Sequence, residues 1–380
     1  MTTTTNDSVA DFVVIGGGIA GISVAAFLSE HASVIVLETE SQNGYHSTGR
    51  SAAQYIRNYG NSTLRRLNDL AYPTLSGELS GESVLSERGQ LLLVSPDVTE
   101  TTVATYLSGA SGVAKISVQD ARDLVPSLKE GYFDYAFYES DASDIDVERL
   151  LQRYIRQLKQ NNGSIQNNCR VNTISRDGKS WCLHTDQQKF TCENVINAAG
   201  AWADSVAEMA GLPPIGLTPM RRSAQVFDVD NQLNNFMHWP LFGTLAETWY
   251  ALPTGGRLLI SPEEEDPVEP HDAWPEDIVL AEALDRFEQA VDITLKRPVR
   301  SWAGLRTFAP DRSPVVGRDP ATDGFYWLAG QGGYGIQTAP ATAMLLAQQC
   351  IGDTTNNATN ASTPDALPLR DTLSPMRFRQ

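Results

Sequence analysis

Residues 11–38 read DFVVIGGGIAGISVAAFLSEHASVIVLE, and the order of parts in this stretch decides the fold. Phe12, Val13, Val14 and Ile15 form a short apolar run of the kind that makes a buried parallel strand. A Gly-x-Gly-x-x-Gly turn follows at Gly16, Gly18 and Gly21. Ile22, Ala25, Ala26 and Leu28 then give a helix one apolar face, and Ser33 to Leu37 reads as a second strand closing on Glu38. In a dinucleotide site, Gly16 allows the tight turn, Gly18 lets the backbone approach a pyrophosphate, and Gly21 lets helix and strand pack closely. The helix start at Ile19 and Ala20 offers unpaired N–H groups to phosphate. Glu38 can accept hydrogen bonds from a ribose diol, and an acid there disfavours a 2′-phosphate. The glycine turn alone would fit an ordinary βαβ unit. The strand before it, the helix after it and the acid beyond favour a dinucleotide without saying which one.

The whole chain sets bounds on partners and compartment. A length of 380 residues calls for two lobes, and 41% hydrophobic with 20% charged residues is a globular composition. A formal net charge of −17 argues against nucleic acid and against adhesion to anionic lipid. The N-terminus, MTTTTNDSVAD, lacks the basic start and apolar core of a signal peptide. No stretch has the ~18 to 20 apolar residues of a membrane span, so no transmembrane segment is expected. Cys169, Cys182, Cys192 and Cys350 show no C-x-x-C spacing and read as buried free thiols. His31, His46, His184, His238 and His271 are scattered, so no metal site is expected. These features suit the cytoplasm, in solution or peripheral to a membrane.

Further along, a helix is expected from about Ser62, with Leu64, Leu67, Leu70 and Ala71 on one face. Gly89–Ser95 and Gly131–Tyr138 read as strands with a helical insert between them. A helix then starts behind Asp144 or Asp146 as N-cap and ends near Gly163. Short strands lead to Asn197-Ala-Ala-Gly-Ala-Trp, a second strand end followed by a helix start. From Pro213 to about Asp292 the composition suggests mixed strands and loops of a substrate-facing lobe. Phe325–Ala329 is a strand running into Gly330-Gln-Gly-Gly-Tyr-Gly-Ile-Gln-Thr and a long apolar helix to about Cys350. The tail from Thr354 is of low complexity and expected to be mobile.

Taken in order, these motifs, together with Gly44-Tyr-His-Ser-Thr-Gly-Arg-Ser-Ala-Ala and Trp302-Ala-Gly-Leu-Arg, resemble the D-amino acid oxidase superfamily of flavoproteins, and within it most closely the bacterial FAD-dependent D-arginine dehydrogenases. The resemblance runs from Asp11 to about Arg377. It implies an α/β fold: a Rossmann-type, glutathione reductase-like lobe for FAD, and a substrate lobe on a mixed, largely antiparallel sheet. The FAD lobe is expected from residues 1–84, 143–212 and 298–380, and the substrate lobe from 85–142 and 213–297. FAD is expected to be non-covalent, because Thr307 stands where sarcosine oxidases carry the flavin-linked cysteine. The resemblance places FAD against Gly16, Gly18, Ile19, Ala20, Gly21, Glu38 and Thr39, then Thr48, Gly49, Arg50, Ser51 and Ala52. Val171, Gly200, Trp202 and Gly304 follow, with Gly330, Gly332, Gly333, Tyr334, Gly335, Ile336 and Gln337 closing the site.

By the same resemblance, Arg222 and Arg306 hold a substrate carboxylate, a task suited to paired guanidinium groups. Tyr59 and Tyr250 line the substrate, and Gln337 lies near the amine. The side-chain pocket maps to Gln54, Ile56, Gln90 and Leu241. The acid that attracts a guanidinium in the arginine-specific enzymes is Gln90 here, and a family histidine and threonine are Gln54 and Ile56. Losing one charge-assisted contact weakens a cationic side chain by roughly 1.5–3 kcal/mol. The expected reaction is therefore dehydrogenation of a D-amino acid with a neutral or apolar side chain. Hydride leaves Cα for flavin N5, and the imine hydrolyses to a 2-oxo acid and ammonia. The electron acceptor is a quinone, another carrier or oxygen. Two alternatives stand beside it: oxidation of an N-methyl or opine-type amino acid, and a non-catalytic FAD-binding subunit.

Overall fold

The computed structural model describes residues 7–229, 233, 235–355 and 367–379. The first residues of the polar N-terminus, and residues 356–366 of the low-complexity tail, lie outside the described residues. The opening stretch folds as strand Asp7–Ile15, helix Ile19–Leu28 and strand Val34–Leu37. Both strands are parallel neighbours, Ile15 standing opposite Leu37. On its other side, Asp7–Ile15 runs parallel to Lys189–Asn197 with Ile15 opposite Asn197. Phe325–Ala329 continues the parallel order beside the last residues of Lys189–Asn197. Ser164–Gln166 adds to the far edge, and two antiparallel additions complete an eight-stranded sheet. Three strands therefore end together, at Gly16, Ala198 and Gly330, which is where open parallel sheets bind ligands.

Close backbone approach holds that edge together. Gly16 adopts φ +113°, and a Cβ there would lie 2.4 Å from the Ala198 carbonyl oxygen. At Gly21, a Cβ would meet the Gly16 carbonyl oxygen at 1.9 Å. The helix can sit this tightly on the turn because neither position carries a side chain. Behind it, Phe12, Val14, Ile22, Ala25, Ala26 and Leu28 join helix Ser62–Leu75, helix Val147–Gln160 and helix Gly335–Thr355 in one core. The four cysteines are free and buried.

The second sheet has nine strands. It is antiparallel throughout except where Leu241–Thr244 runs parallel to Gln90–Val94. Its spine is Thr218–Asp228, which pairs along nearly its whole length with Arg300–Phe308. This differs from expectation, since residues 298–380 were assigned to the cofactor lobe. Cross-strand pairing over so long a ladder places Arg300–Phe308 in the other sheet, and nothing in its local composition announces that. Asp277–Ala290 is a helix within a region read as strands and loops, burying Leu280, Ala283, Phe287 and Ala290. Their spacing is helical, but the surrounding prolines obscured it. Asp146 rather than Asp144 caps helix Val147–Gln160, accepting the Arg149 N–H at 2.9 Å, because Ser143–Ile145 is held as a strand.

Gly21→Ala forces the helix off the turn, and overpacking of this kind destabilises by about 1–3 kcal/mol. Urea unfolding checks it, and an unchanged midpoint would show that the helix and turn are not in tight contact.

Candidate active site

A cavity of about 510 Å³ is lined by the glycine turns of the first sheet and by one face of the second. At one end stand Gly16, Gly18, Glu38 and Val171; at the other stand Arg222, Tyr250, Arg306 and Gly333. The Glu38 carboxylate is fixed at the wall. One oxygen accepts the Gly17 N–H at 2.6 Å and the other the Glu40 N–H at 2.8 Å, leaving each with acceptor capacity. Helix Ile19–Leu28 begins without a side-chain cap, and the Ile19 N–H reaches the Thr48 hydroxyl at 3.0 Å. A Cβ on Gly200, at φ +56°, would meet no protein atom within 4 Å. A glycine-lined trough, a helix start and a rigid carboxylate fit the two phosphates and the ribose of FAD. Ile19, Ala20, Thr39, Thr48, Arg50, Ser51, Ala52, Trp202, Gly304, Gly332, Gly335 and Ile336 also line it. Gly21, Gly49, Gly330, Tyr334 and Gln337 do not. Gly21 and Gly49 instead permit close contact with backbone carbonyls of Gly16 and Gly44.

Register explains why two distant arginines meet. Arg222 stands opposite Gly304, and Arg306 stands opposite Met220. The offset of two residues puts both side chains on the same face as diagonal neighbours. Arg306 has no carboxylate within 4.0 Å among the described residues, and donates only to the Tyr59 hydroxyl at 3.4 Å. Burial opposes its charge, but Tyr59, Tyr250 and Glu263 outweigh this and keep it a cation. The Tyr59 hydroxyl is itself pushed up by burial, against the pull of Arg306. A Cβ on Gly333 would lie 2.8 Å from Arg306 Nη1, so a larger residue there would push the guanidinium aside.

Arg222 is less free than the sequence suggests. Its Nε donates to the Glu264 carbonyl at 2.9 Å, and Nη2 lies 3.4 Å from the Glu265 carboxylate. Glu265 in turn accepts from Arg312 through both oxygens at 2.9 Å. Gln337, expected beside a substrate amine, is 2% exposed and faces protein. Its carbonyl accepts the Ile56 N–H at 2.9 Å, and its amide donates to Asn68 at 2.9 Å. Asn68 also donates to the carbonyls of Ile56, Arg57 and Tyr59. Gln337 thus positions the segment that carries Tyr59. Gln54, Ile56, Gln90 and Leu241 lie outside the cavity lining. Gln90 and Leu241 are neighbours in register, while Gln54 donates to Asp144, the partner of Arg88. Tyr59 also lies just beyond the lining.

The sequence reading missed Glu247 and Glu263. Both carry left-handed backbone, φ 53° and 57°, which a glutamate rarely adopts. Glu263 lies 3.9 Å from Arg222 Nη1. A run of three glutamates looks like a solvated turn, yet the Glu264 carboxylate is buried and Glu263 and Glu265 both face Arg222.

The profile of the family described as DAO: FAD dependent oxidoreductase matches residues 11–349. Glycine oxidase of Bacillus subtilis is 22% identical over 356 residues, covering 90% of this chain and 94% of that protein. L-proline dehydrogenase from P. horikoshii superposes with a TM-score of 0.81 at 21% identity, over 98% of both chains. Iminodiacetate oxidase from Chelativorans sp. BNC1 superposes with a TM-score of 0.76 at 21% identity, over 96% of this chain and 98% of that one. The glycine-lined trough and the profile that spans it lead to the same place: the chain belongs to the DAO family of FAD dependent oxidoreductases.

Proposed function

We propose that the chain oxidises the α-amine of a small amino acid, and that the substrate sits between Arg306, Arg222 and Tyr250 at the inner end of the cavity. The observation that supports this most is Arg306: a cation beside the cavity with no carboxylate partner within 4.0 Å among the described residues. A guanidinium held in that state is a receptor for a carboxylate. FAD, when bound, supplies the two-electron acceptor. The chain's own residues orient the substrate: Arg306 fixes the carboxylate, which sets where Cα and its amine lie. Tyr59 and Tyr250 flank Arg306 and limit how the ligand can turn. Among the described residues no histidine, lysine or aspartate lines the inner end of the cavity, so binding and orientation are the protein's main contribution. Oxidation removes two hydrogens across the Cα–N bond, and water then converts the imine to a 2-oxo acid and ammonia. Thr307 lies on the lining where a cysteine would offer a covalent tether, so FAD is held by contacts alone.

We read the substrate as a D-amino acid with a neutral side chain, because no acidic residue lines the inner end of the cavity among the described residues to attract a cationic one. The lobe carrying the eight-stranded sheet holds FAD in this reading, and the nine-stranded sheet faces the substrate. A secondary amine is the second reading. L-proline and iminodiacetate, named for two structural relatives, are both secondary amines, and an Arg306 clamp serves them equally well.

The FAD-loaded protein, mixed without oxygen with glycine, D- and L-amino acids, sarcosine, proline and iminodiacetate, should lose its flavin colour with at least one. If none bleaches it, the reaction class is wrong. Ammonia as product marks a primary amine, a released amine marks an open-chain secondary one, and neither is released from a cyclic one such as proline, whose nitrogen stays in the product. Arg306→Ala should lower kcat/KM by about ten- to a hundredfold, the worth of one hydrogen-bonded charge. Gln337→Leu should lower stability by about 1–3 kcal/mol through the unpaired Ile56 N–H and Asn68 amide. A normal melting temperature with lost activity would instead place Gln337 on the substrate.

A further inference from the structure

Glu263 has no task in the reaction as derived, yet it faces both arginines of the site. Its left-handed backbone turns the side chain back toward strand Thr218–Asp228, where Oε1 stops 3.9 Å from Arg222 Nη1. That is too far for a hydrogen bond and near enough for charge attraction. Nε and one N–H of Nη2 already face Glu264 and Glu265, so Nη1, the nitrogen nearest Glu263, carries most of the capacity left for a ligand. Glu263 therefore stands where an anion bound to Arg222 would have to share it.

We propose that Glu263 is a specificity-determining residue: as a neutral carboxyl it leaves Arg222 to an incoming carboxylate, and as a carboxylate it takes Arg222 for itself. The proposal rests on the reading of Arg222 and Arg306 as the carboxylate site. The neutral form can also donate its O–H to the bound anion, adding a third contact. The ionised form does the reverse, placing a like charge against the ligand. Burial pushes the Glu263 carboxyl up to about 8; Arg222 and Arg306 pull it down, while Glu247 and Glu265 push it further up. Tyr59 also faces it; its hydroxyl is pushed up by burial and stays neutral across the range in which Glu263 titrates. The site is therefore open to anions near neutral pH and closes as Glu263 ionises. Linkage makes this reciprocal: a bound carboxylate holds the proton on Glu263.

Propionate, which has no amine and does not titrate near neutrality, isolates the effect. Its dissociation constant for the FAD-loaded protein, measured by calorimetry from pH 6 to pH 10, should be flat at first and then rise above about pH 8, approaching tenfold per pH unit. In Glu263→Gln that rise should disappear. Melting curves provide a check that this variant is folded, and a second readout. A carboxyl raised by folding loses stability as pH climbs from its ordinary range to about 8. The melting temperature of Glu263→Gln relative to the parent should therefore increase between pH 5 and pH 9. A rise in dissociation constant that persists in Glu263→Gln, or a flat profile in the parent, overturns the role of Glu263 and leaves the carboxylate site standing. No propionate binding at any pH overturns both.

Discussion

The antiparallel pairing of Thr218–Asp228 with Arg300–Phe308 is the contact on which the site depends. Nine consecutive pairs, from Thr218 opposite Phe308 to Val226 opposite Arg300, fix the register. A slip of one residue would turn Arg306 to the other face and remove it from the cavity. The ladder joins segments about eighty residues apart in the chain, and its hydrogen bonds carry no information about chemistry. Yet it alone brings the guanidinium groups of Arg222 and Arg306 to one face of the sheet. The glycine turns at the other end of the cavity are local; this end is tertiary throughout.

That division explains what could be read from the sequence. The stretch from Asp11 to Glu38 is legible because every requirement is met within twenty-eight residues: apolar run, turn, helical face, terminal acid. The helix from Ser62 and the strand Phe325–Ala329 are legible for the same reason, periodicity being a local property. Gln337 shows the limit. A glutamine beside a glycine-rich turn can face a ligand or the protein, and only the positions of Ile56 and Asn68, far away in sequence, decide for the protein. Glu263 shows another, since an acid among acids gives no sign that its neighbours in space are arginines.

The segment bearing Tyr59 is held by buried polar groups as well as by the packing of Tyr55 and Tyr59 on the core. Gln337 and Asn68 grip it from one side. From the other, Asn58 donates to Glu139 at 2.6 Å, and Tyr106 donates to the second oxygen of that carboxylate at 2.7 Å. Glu139 is 1% exposed, so burial pushes its carboxyl up, with Tyr106 and Asn58 opposing. Arg65 completes the frame by donating to the carbonyls of Asn58 and Gly60. Such a network is satisfied in one geometry only, which makes it a device for position more than for cohesion.

The cavity wall belongs to both sheets at once, with Gly16 and Gly200 on one side and Ala224 and Trp302 on the other. A molecule lying there is mortar between two courses of brick. Direct ties across the same seam are polar and apolar: Arg50 donates to the carbonyls of Ala273 and Ala303, and Ala201 and Trp202 pack with Ala303 and Leu305. Whatever fills the cavity adds its own binding free energy to the joint, growing with the logarithm of its concentration over its dissociation constant. A cofactor bound in that cavity thus tightens the joint between the two sheets as well as equipping it for chemistry.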